Sequence, residues 1–311
     1  MIPFYLKKWY FDLISPEGDA LYFYFITARI AGVSRGFVSA HLLTGEGRES
    51  RALEKTPLAA DASGSLKLGR HAFFSGGSGV EVRLEFKNLS LHLAYAPRVG
   101  PWWPTERGLL LTRNGRSAGE LRWHVPVPSA RVEGIITVNG SKRPVAGDGY
   151  LDVVETDIPA WRLPLAELQW GRAHFAEQTL VFNQVRTRRG EIIRNLLLTE
   201  TRPGSVSGQK PAFDDQSFAL QADPHDATTS LGRGGAFGLL LTRPKVIEES
   251  PVVTAERFKS KSARRLLERL TGSPREKKMI SRARLEFNGK TVSGTALHER
   301  VSWHWPEEVR S

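Results

Sequence analysis

Short strands separated by turn signals are the dominant pattern of this chain. Two aromatic-rich segments, Lys7–Ile14 and Ala20–Ile30, flank Ser15-Pro16-Glu17-Gly18-Asp19, which is typical of a hairpin turn. Asn139-Gly140 predicts another tight turn, leading into a strand over 145–153. The other predicted strands cover 36–43, 80–86, 89–94, 108–112, 118–124, 131–138, 165–175, 179–186, 192–199, 217–222, 236–242, 280–287 and 291–305. Regular short strands favour antiparallel barrels, and these are too many for one small barrel.

A weak internal repeat indicates two similar halves. Trp9, a turn and Tyr22-Phe23-Tyr24-Phe25 resemble Trp170, a turn and Leu180-Val181-Phe182. The sequence therefore predicts an all-β chain of two tandem antiparallel barrels, the first over 1–162 and the second over 163–311.

The net charge of +11 is concentrated in residues 257–284, where basic side chains greatly outnumber Glu268 and Glu276. Ala263, Leu266, Leu267 and Leu270 recur at helical spacing there, which predicts one short basic amphipathic helix near 260–272. Such a helix can rest on an anionic membrane surface, or it can be a solvated helix packed on a barrel. No nucleic-acid motif accompanies the charge, so binding to nucleic acid is not favoured.

Composition narrows the possible chemistry further. The 311 residues are 40% hydrophobic, enough for two cores, and cysteine is absent, which excludes disulfides, thiolate metal sites and cysteine nucleophiles. The histidines lack a paired metal-ligand spacing, so no metal is expected. No signal-peptide core and no membrane-spanning run is evident, so we expect a cytoplasmic protein, peripheral on the inner membrane face if the basic segment docks.

The segment Gly149-Tyr150-Leu151-Asp152 carries the most specific chemistry. Tyr150 and Asp152 are two residues apart, so in a strand both project from one face. If that face lines an apolar barrel, burial favours the protonated carboxyl, which can then donate a proton. The alternative is structural: Tyr150 hydrogen-bonds a corner and Asp152 satisfies a turn.

Several motifs together resemble one known family. These are Trp9-Tyr10-Phe11-Asp12, Trp123 with Pro126 and Pro128, Ala130-Arg131-Val132-Glu133, Gly149-Tyr150-Leu151-Asp152, Asp157, Pro159, Trp170-Gly171-Arg172 and, near the end, His298-Glu299. The chain is similar at this level to the carotenoid 1,2-hydratase (hydroxyneurosporene synthase) family, within a wider group of two-barrel, lipocalin-like proteins. The resemblance covers most of the chain and is strongest from 120 to 190.

The resemblance implies a hydro-lyase without a cofactor, acting on a lipophilic isoprenoid or carotenoid. Hydration of a terminal C=C bond needs an acid that protonates carbon, and Asp152 is the candidate. Tyr150 orients the acid or the water, Trp123 offers a π-face to the cation, and His124 is a further catalytic candidate. The residues expected to bind substrate are Trp9, Tyr10, Trp161, Trp170 and Arg172.

The chain departs from the family pattern at Leu121, where the family places a histidine two residues before the tryptophan. The nearby His124 lies on the opposite face of a regular strand, and only a bulge would bring it inward. Three functions therefore remain open: a hydratase, a lipocalin-like cyclase or pericyclase that folds a polyene, and a non-catalytic carrier of a lipophilic ligand. His298-Glu299 assists proton transfer if it faces a barrel mouth, and otherwise forms a surface ion pair.

Overall fold

The computed structural model of the chain describes residues 4–56, 61–62, 64–104, 109–113, 116–159, 162–201, 219–222, 229–233, 237–251, 265 and 273–304. Within these ranges no helix is long and apolar enough to cross a membrane. The helix predicted near 260–272 falls outside the described residues, apart from Arg265.

In the residues that the structure describes, twenty strands form two antiparallel sheets, which confirms the all-β prediction. The first sheet has twelve strands in the order β4-β3-β2-β1-β12-β11-β9-β8-β7-β6-β5, with β10 paired to β11. Its strands are β1 (Phe4–Ile14), β2 (Ala20–Ile30), β3 (Val33–Leu43), β4 (Glu49–Thr56), β5 (Asp61–Ala62), β6 (Ser65–Leu68), β7 (His71–Gly76), β8 (Gly79–Glu85), β9 (Leu89–Pro97), β10 (Leu109–Arg113), β11 (Arg116–Val138) and β12 (Ser141–Thr156).

The second sheet has eight strands in the order β15-β14-β13-β20-β19-β18-β17-β16. These are β13 (Leu165–Phe175), β14 (Gln178–Thr187), β15 (Ile192–Glu200), β16 (Ala219–Ala222), β17 (Thr229–Arg233), β18 (Phe237–Pro251), β19 (Arg275–Phe287) and β20 (Lys290–Ser302). By its internal contacts the chain forms two compact units, the first mainly Met1–Leu110 with Gly119–Pro159, the second mainly Ala160–Thr201 with Gln209–Ser311.

Alternate residues of β1, β2 and β12 build the core of the first unit. Trp9, Phe11 and Leu13 of β1 all belong to this core, and the Phe11 ring stacks on Phe23 with centroids 4.9 Å apart. On β12, Leu151 and Val153 belong to it as well. Because side chains alternate along a strand, the residues between them lie on the other face of the sheet.

The first sheet curls until its outer strands adjoin. Gly36 of β3 lies so close to Leu68 of β6 that a Cβ would be 2.8 Å from the leucine methyl carbon. Nearby, Arg70 donates to the Glu54 carboxylate of β4 at 2.9 Å. The sheet is therefore a nearly closed barrel, and the apolar cluster fills its interior.

Strand β11 is a single strand where the sequence predicts two. Its register with β12 shifts between His124 and Val127, and again between Val127 and Ala130. Each shift contains a proline, Pro126 or Pro128, which has no N–H to donate to the ladder. Where the ladder is interrupted, Val125 pairs with Trp102 instead, through two backbone hydrogen bonds of 2.9 Å.

Gly171 of β13 is tightly packed against its neighbours in the second unit. A Cβ at this position would lie 2.6 Å from Cβ of His298 and 2.8 Å from Cζ of Phe182. We expect Gly171→Ala to lower the free energy of unfolding by about 1–3 kcal/mol, because the added methyl group overpacks this site. Urea unfolding measures the loss. The control is Gly238→Ala in the same unit, where the nearest atom to a new Cβ is 3.9 Å away. Equal midpoints for the two variants would contradict the prediction.

Candidate active site

One face of the first sheet, opposite its apolar core, carries most of the tyrosines. We call it the tyrosine face. It consists of Asp12 and Tyr10 on β1, Tyr22 and Tyr24 on β2, His41 on β3, and Tyr150 and Asp152 on β12. All seven side chains are buried.

Strand register arranges this face in two rows. In one row Tyr24, Tyr10 and Asp152 are direct cross-strand neighbours, and the Tyr10 and Tyr24 ring centroids are 5.2 Å apart. In the next row His41, Tyr22, Asp12 and Tyr150 are neighbours in that order. The Tyr10 ring also contacts Tyr150 at 6.2 Å, so the two rows pack together.

The predicted shared face of Tyr150 and Asp152 is observed, but the prediction that it lines the barrel interior is wrong. Leu151 and Val153 occupy the interior, and a one-residue alternation places Tyr150 and Asp152 outside it. Gly149 explains part of the local packing, since a Cβ there would be 2.8 Å from the Tyr95 ring. The Tyr95 hydroxyl of β9 in turn donates to the Asp12 carbonyl of β1 at 3.1 Å.

Asp152 is buried, with 4% of its surface exposed, on the tyrosine face. Burial raises the pKa of its carboxyl from 3.8 to about 7, because the charged form loses its hydration. Lys8 and hydrogen bonds from Trp123 and Tyr150 act in the opposite direction, and the nearby Asp12 raises the pKa further. The Tyr150 hydroxyl donates to Oδ2 of Asp152 at 3.1 Å. The group is thus partly protonated near neutral pH and held in a defined orientation.

Trp123 lies on β11, just before the irregular part of that strand. Its ring packs edge-on against Trp102 at 5.3 Å, and Trp102 is held by the backbone bridge to Val125. Trp123 lies opposite Val154 on β12, which puts it on the same face as Asp152. The indole N–H is a donor only, so its hydrogen bond to Asp152 favours the carboxylate form. The contact with Trp102 therefore holds the Trp123 indole N–H and its π-face beside Asp152.

His124 lies on the opposite face from Asp152, so the structure does not support its predicted role beside the acid. It is opposite the core residue Val153, and both register shifts come after it in β11. Its ring stacks on the exposed Trp103 with centroids 4.1 Å apart and planes 8° apart. Burial lowers the pKa of His124 to about 4, so it is neutral at physiological pH.

The predicted substrate-binding residues of β1 lie on two different faces of the first sheet. Tyr10 lies on the tyrosine face next to Asp152. Trp9 packs in the barrel core, where its ring contacts Phe73 at 5.7 Å, so a core role accounts for it. Trp161 lies outside the described residues.

Trp170 and Arg172 belong to β13 of the second unit, and both are buried. They lie on the face opposite the second core, which contains Ala173 and Phe175. Arg172 is fully buried, an uncommon position for a guanidinium group.

His298 and Glu299 are buried, so the alternative of a surface ion pair is wrong. Nε2 of His298 lies 2.8 Å from the Ser281 hydroxyl, and burial lowers the pKa of this imidazole to about 4. Glu299 accepts a hydrogen bond of 2.7 Å from the fully buried Lys278. Both residues belong to the second unit.

Sequence reasoning missed four members of the tyrosine face: Asp12, Tyr22, Tyr24 and His41. The sequence did contain one signal of this second face: along β1, Lys8, Tyr10 and Asp12 alternate with Trp9, Phe11 and Leu13. Within the described part of the chain, no group of three His, Cys, Asp or Glu side chains is arranged to hold a metal ion.

No protein-family model and no curated protein matches this chain. Several solved structures share its fold. A protein from Nitrosomonas europaea, named as a candidate AttH, has a TM-score of 0.61 and 15% identity over 97% of this chain and 93% of that protein. CghA has a TM-score of 0.65 and 11% identity over 97% of this chain and 89% of its own. Kievitone hydratase from Nectria haematococca has a TM-score of 0.55 and 13% identity, covering 98% of this chain and 90% of its own. At such identities the likeness establishes the fold, and it confirms the predicted lipocalin-like class.

Proposed function

We propose that this protein is a cofactor-independent hydratase that adds water to a terminal C=C bond of a lipophilic isoprenoid or carotenoid. The observation that carries the proposal is the buried carboxyl of Asp152, whose pKa of about 7 leaves it able to donate a proton at neutral pH. The fold is shared with kievitone hydratase, which supports a hydratase without identifying the substrate.

The proposed reaction begins with transfer of the Asp152 proton to carbon. The O–H bond of the carboxyl breaks, a C–H bond forms at the terminal alkene, and a tertiary cation results. Water then adds to the cation and loses one proton. The rings of Trp123, Tyr10 and Tyr150 surround the acid, and their π-faces can stabilise positive charge near it. Tyr150 orients the carboxyl through its hydrogen bond.

A cyclase or pericyclase acting on a polyene is the second candidate. It is favoured by Leu121, which stands where the resembled family has a histidine two residues before the tryptophan, and by the nearby His124, which lies on the face opposite Asp152. In a cyclase the same carboxyl polarises or protonates the substrate, and an internal double bond captures the cation in place of water.

Product analysis in heavy-oxygen water separates these candidates. The purified protein is incubated with an acyclic carotene that has terminal trisubstituted C=C bonds, and the products are identified by mass. A hydratase yields an alcohol that carries the heavy oxygen, whereas a cyclase yields an isomer of unchanged mass. Retention of the carotene without any product would contradict both enzymatic proposals and favour a carrier.

A further inference from the structure

A chain of polar side chains runs from the tyrosine face to the edge of the first sheet. His41 contacts the Tyr22 hydroxyl through Nδ1, and its Nε2 lies 2.8 Å from the Glu49 carboxylate. His41 is buried, whereas the Glu49 side chain is 44% exposed. Glu49 also binds Arg51, and both residues line an open cleft of about 540 Å³. The buried imidazole therefore lies between a tyrosine hydroxyl and a carboxylate that water can reach.

The same chain continues inward to Asp152. Tyr22 is directly opposite Asp12, and Asp12 is directly opposite Tyr150, on neighbouring strands. Side chains at such positions adjoin, since their Cβ atoms are about 4.5–5.5 Å apart. Tyr150 then donates to the Asp152 carboxyl at 3.1 Å.

We propose that Glu49, His41, Tyr22, Asp12 and Tyr150 form a proton path between solvent and the acid Asp152. This inference rests on the proposed function, for which Asp152 must be protonated again after each turnover. Every member carries a group that can accept a proton on one side and release one on the other.

The proton count over one cycle is balanced. Asp152 loses its proton to carbon, and the water that adds to the cation gives up one proton. That proton enters the path at Asp12 and passes through the Tyr150 hydroxyl to Asp152, which becomes a carboxylic acid again. Through Tyr22, His41 and Glu49 the proton on Asp12 also equilibrates with solvent, so Asp152 can regain a proton from solvent and exchange its own when no substrate is bound. At each transfer one O–H or N–H bond breaks as another forms, and no charge remains on the path.

A second histidine in the same unit provides a matched control. His71 is also buried, and its Nε2 lies 3.3 Å from Glu54, which is paired with Arg70 as Glu49 is with Arg51. However, Nδ1 of His71 accepts the backbone N–H of Glu85 at 3.2 Å. Nδ1 of His71 is therefore occupied by the backbone and not by a tyrosine hydroxyl, so His71 should not carry protons to Asp152.

The test measures how fast the Asp152 proton exchanges with solvent, which requires no substrate. The infrared C=O stretch of the protonated carboxyl is assigned by its loss in Asp152→Asn, and its shift is followed after mixing with heavy water. We expect exchange to slow by about tenfold or more in His41→Ala, and to recover when imidazole is added. His71→Ala should exchange at the wild-type rate, with no effect of imidazole.

Glu49→Gln is the second variant, since its exposed side chain can change without disturbing the buried packing. It should slow exchange in the same direction, and Glu54→Gln should not. Wild-type exchange rates in both His41→Ala and Glu49→Gln would overturn the proton path, even if Asp152→Asn abolished turnover. Slow exchange in these variants together with no turnover of any carotene by the wild type would support the path and overturn the hydratase.

Discussion

Replacing Asp152 by asparagine is expected to lower turnover by about 10²–10⁴-fold, the usual contribution of a positioned general acid. Asparagine has nearly the same shape and can still accept the Tyr150 hydrogen bond, but it has no acidic proton to transfer. Ligand binding should therefore persist while product formation is lost. Steady-state kinetics with a polyene that the wild type converts, together with a direct binding measurement, separates the two effects.

The matched control is Asp148→Asn on the same strand. Asp148 is partly exposed and forms an ion pair with Arg98 at 2.6 Å, so its replacement should leave turnover close to that of the wild type. Turnover of the wild type should also decline as the pH rises above about 7, because only the protonated form of Asp152 can act as the acid. Unchanged turnover in Asp152→Asn would contradict the assignment.

The same substitution is expected to stabilise the protein at alkaline pH. Since the pKa of Asp152 is raised from 3.8 to about 7, the folded state binds more protons than the unfolded state between these values. The wild type therefore loses stability as the pH rises through this window, by up to about 4 kcal/mol, and the loss is complete above the folded pKa. The asparagine amide does not titrate, so the variant avoids this loss.

Urea unfolding of the wild type and of Asp152→Asn at about pH 4 and about pH 8 checks the sign of this effect. The stability difference between the two proteins should grow in favour of the variant as the pH rises. A difference that is the same at both pH values would indicate that the Asp152 carboxyl is not desolvated in the folded protein.

The two antiparallel sheets could be predicted from short alternating strands and turn residues, but the assignment of faces could not. In Leu21-Tyr22-Phe23-Tyr24-Phe25 every side chain is apolar or aromatic, so the sequence contains no contrast between the core face and the tyrosine face. Both faces are buried there, and alternation reveals orientation only where one face is solvated. The same ambiguity explains the wrong prediction that Asp152 lies inside the barrel.

Strand β4 was not predicted from the sequence, for a different reason. Strand β4, Glu-Ser-Arg-Ala-Leu-Glu-Lys-Thr over Glu49–Thr56, is rich in charge because it stands at the end of the strand order, where charged side chains discourage further pairing. Its charges make the segment resemble a loop. The buried His41 was likewise hidden, because its partners Tyr22 and Glu49 come from two other strands.

The strict alternation along β1 has a consequence for how new activities could be obtained from this scaffold. Trp9, Phe11 and Leu13 support the hydrophobic interior while Tyr10 and Asp12 lie on the tyrosine face, so inserting or deleting a single residue would exchange the two sets. Phenols and a carboxylate would then enter the oily centre, and indole and phenyl rings would replace the reactive groups. Laboratory evolution of this strand should therefore rely on point substitutions, and libraries that vary its length should yield mostly unfolded chains.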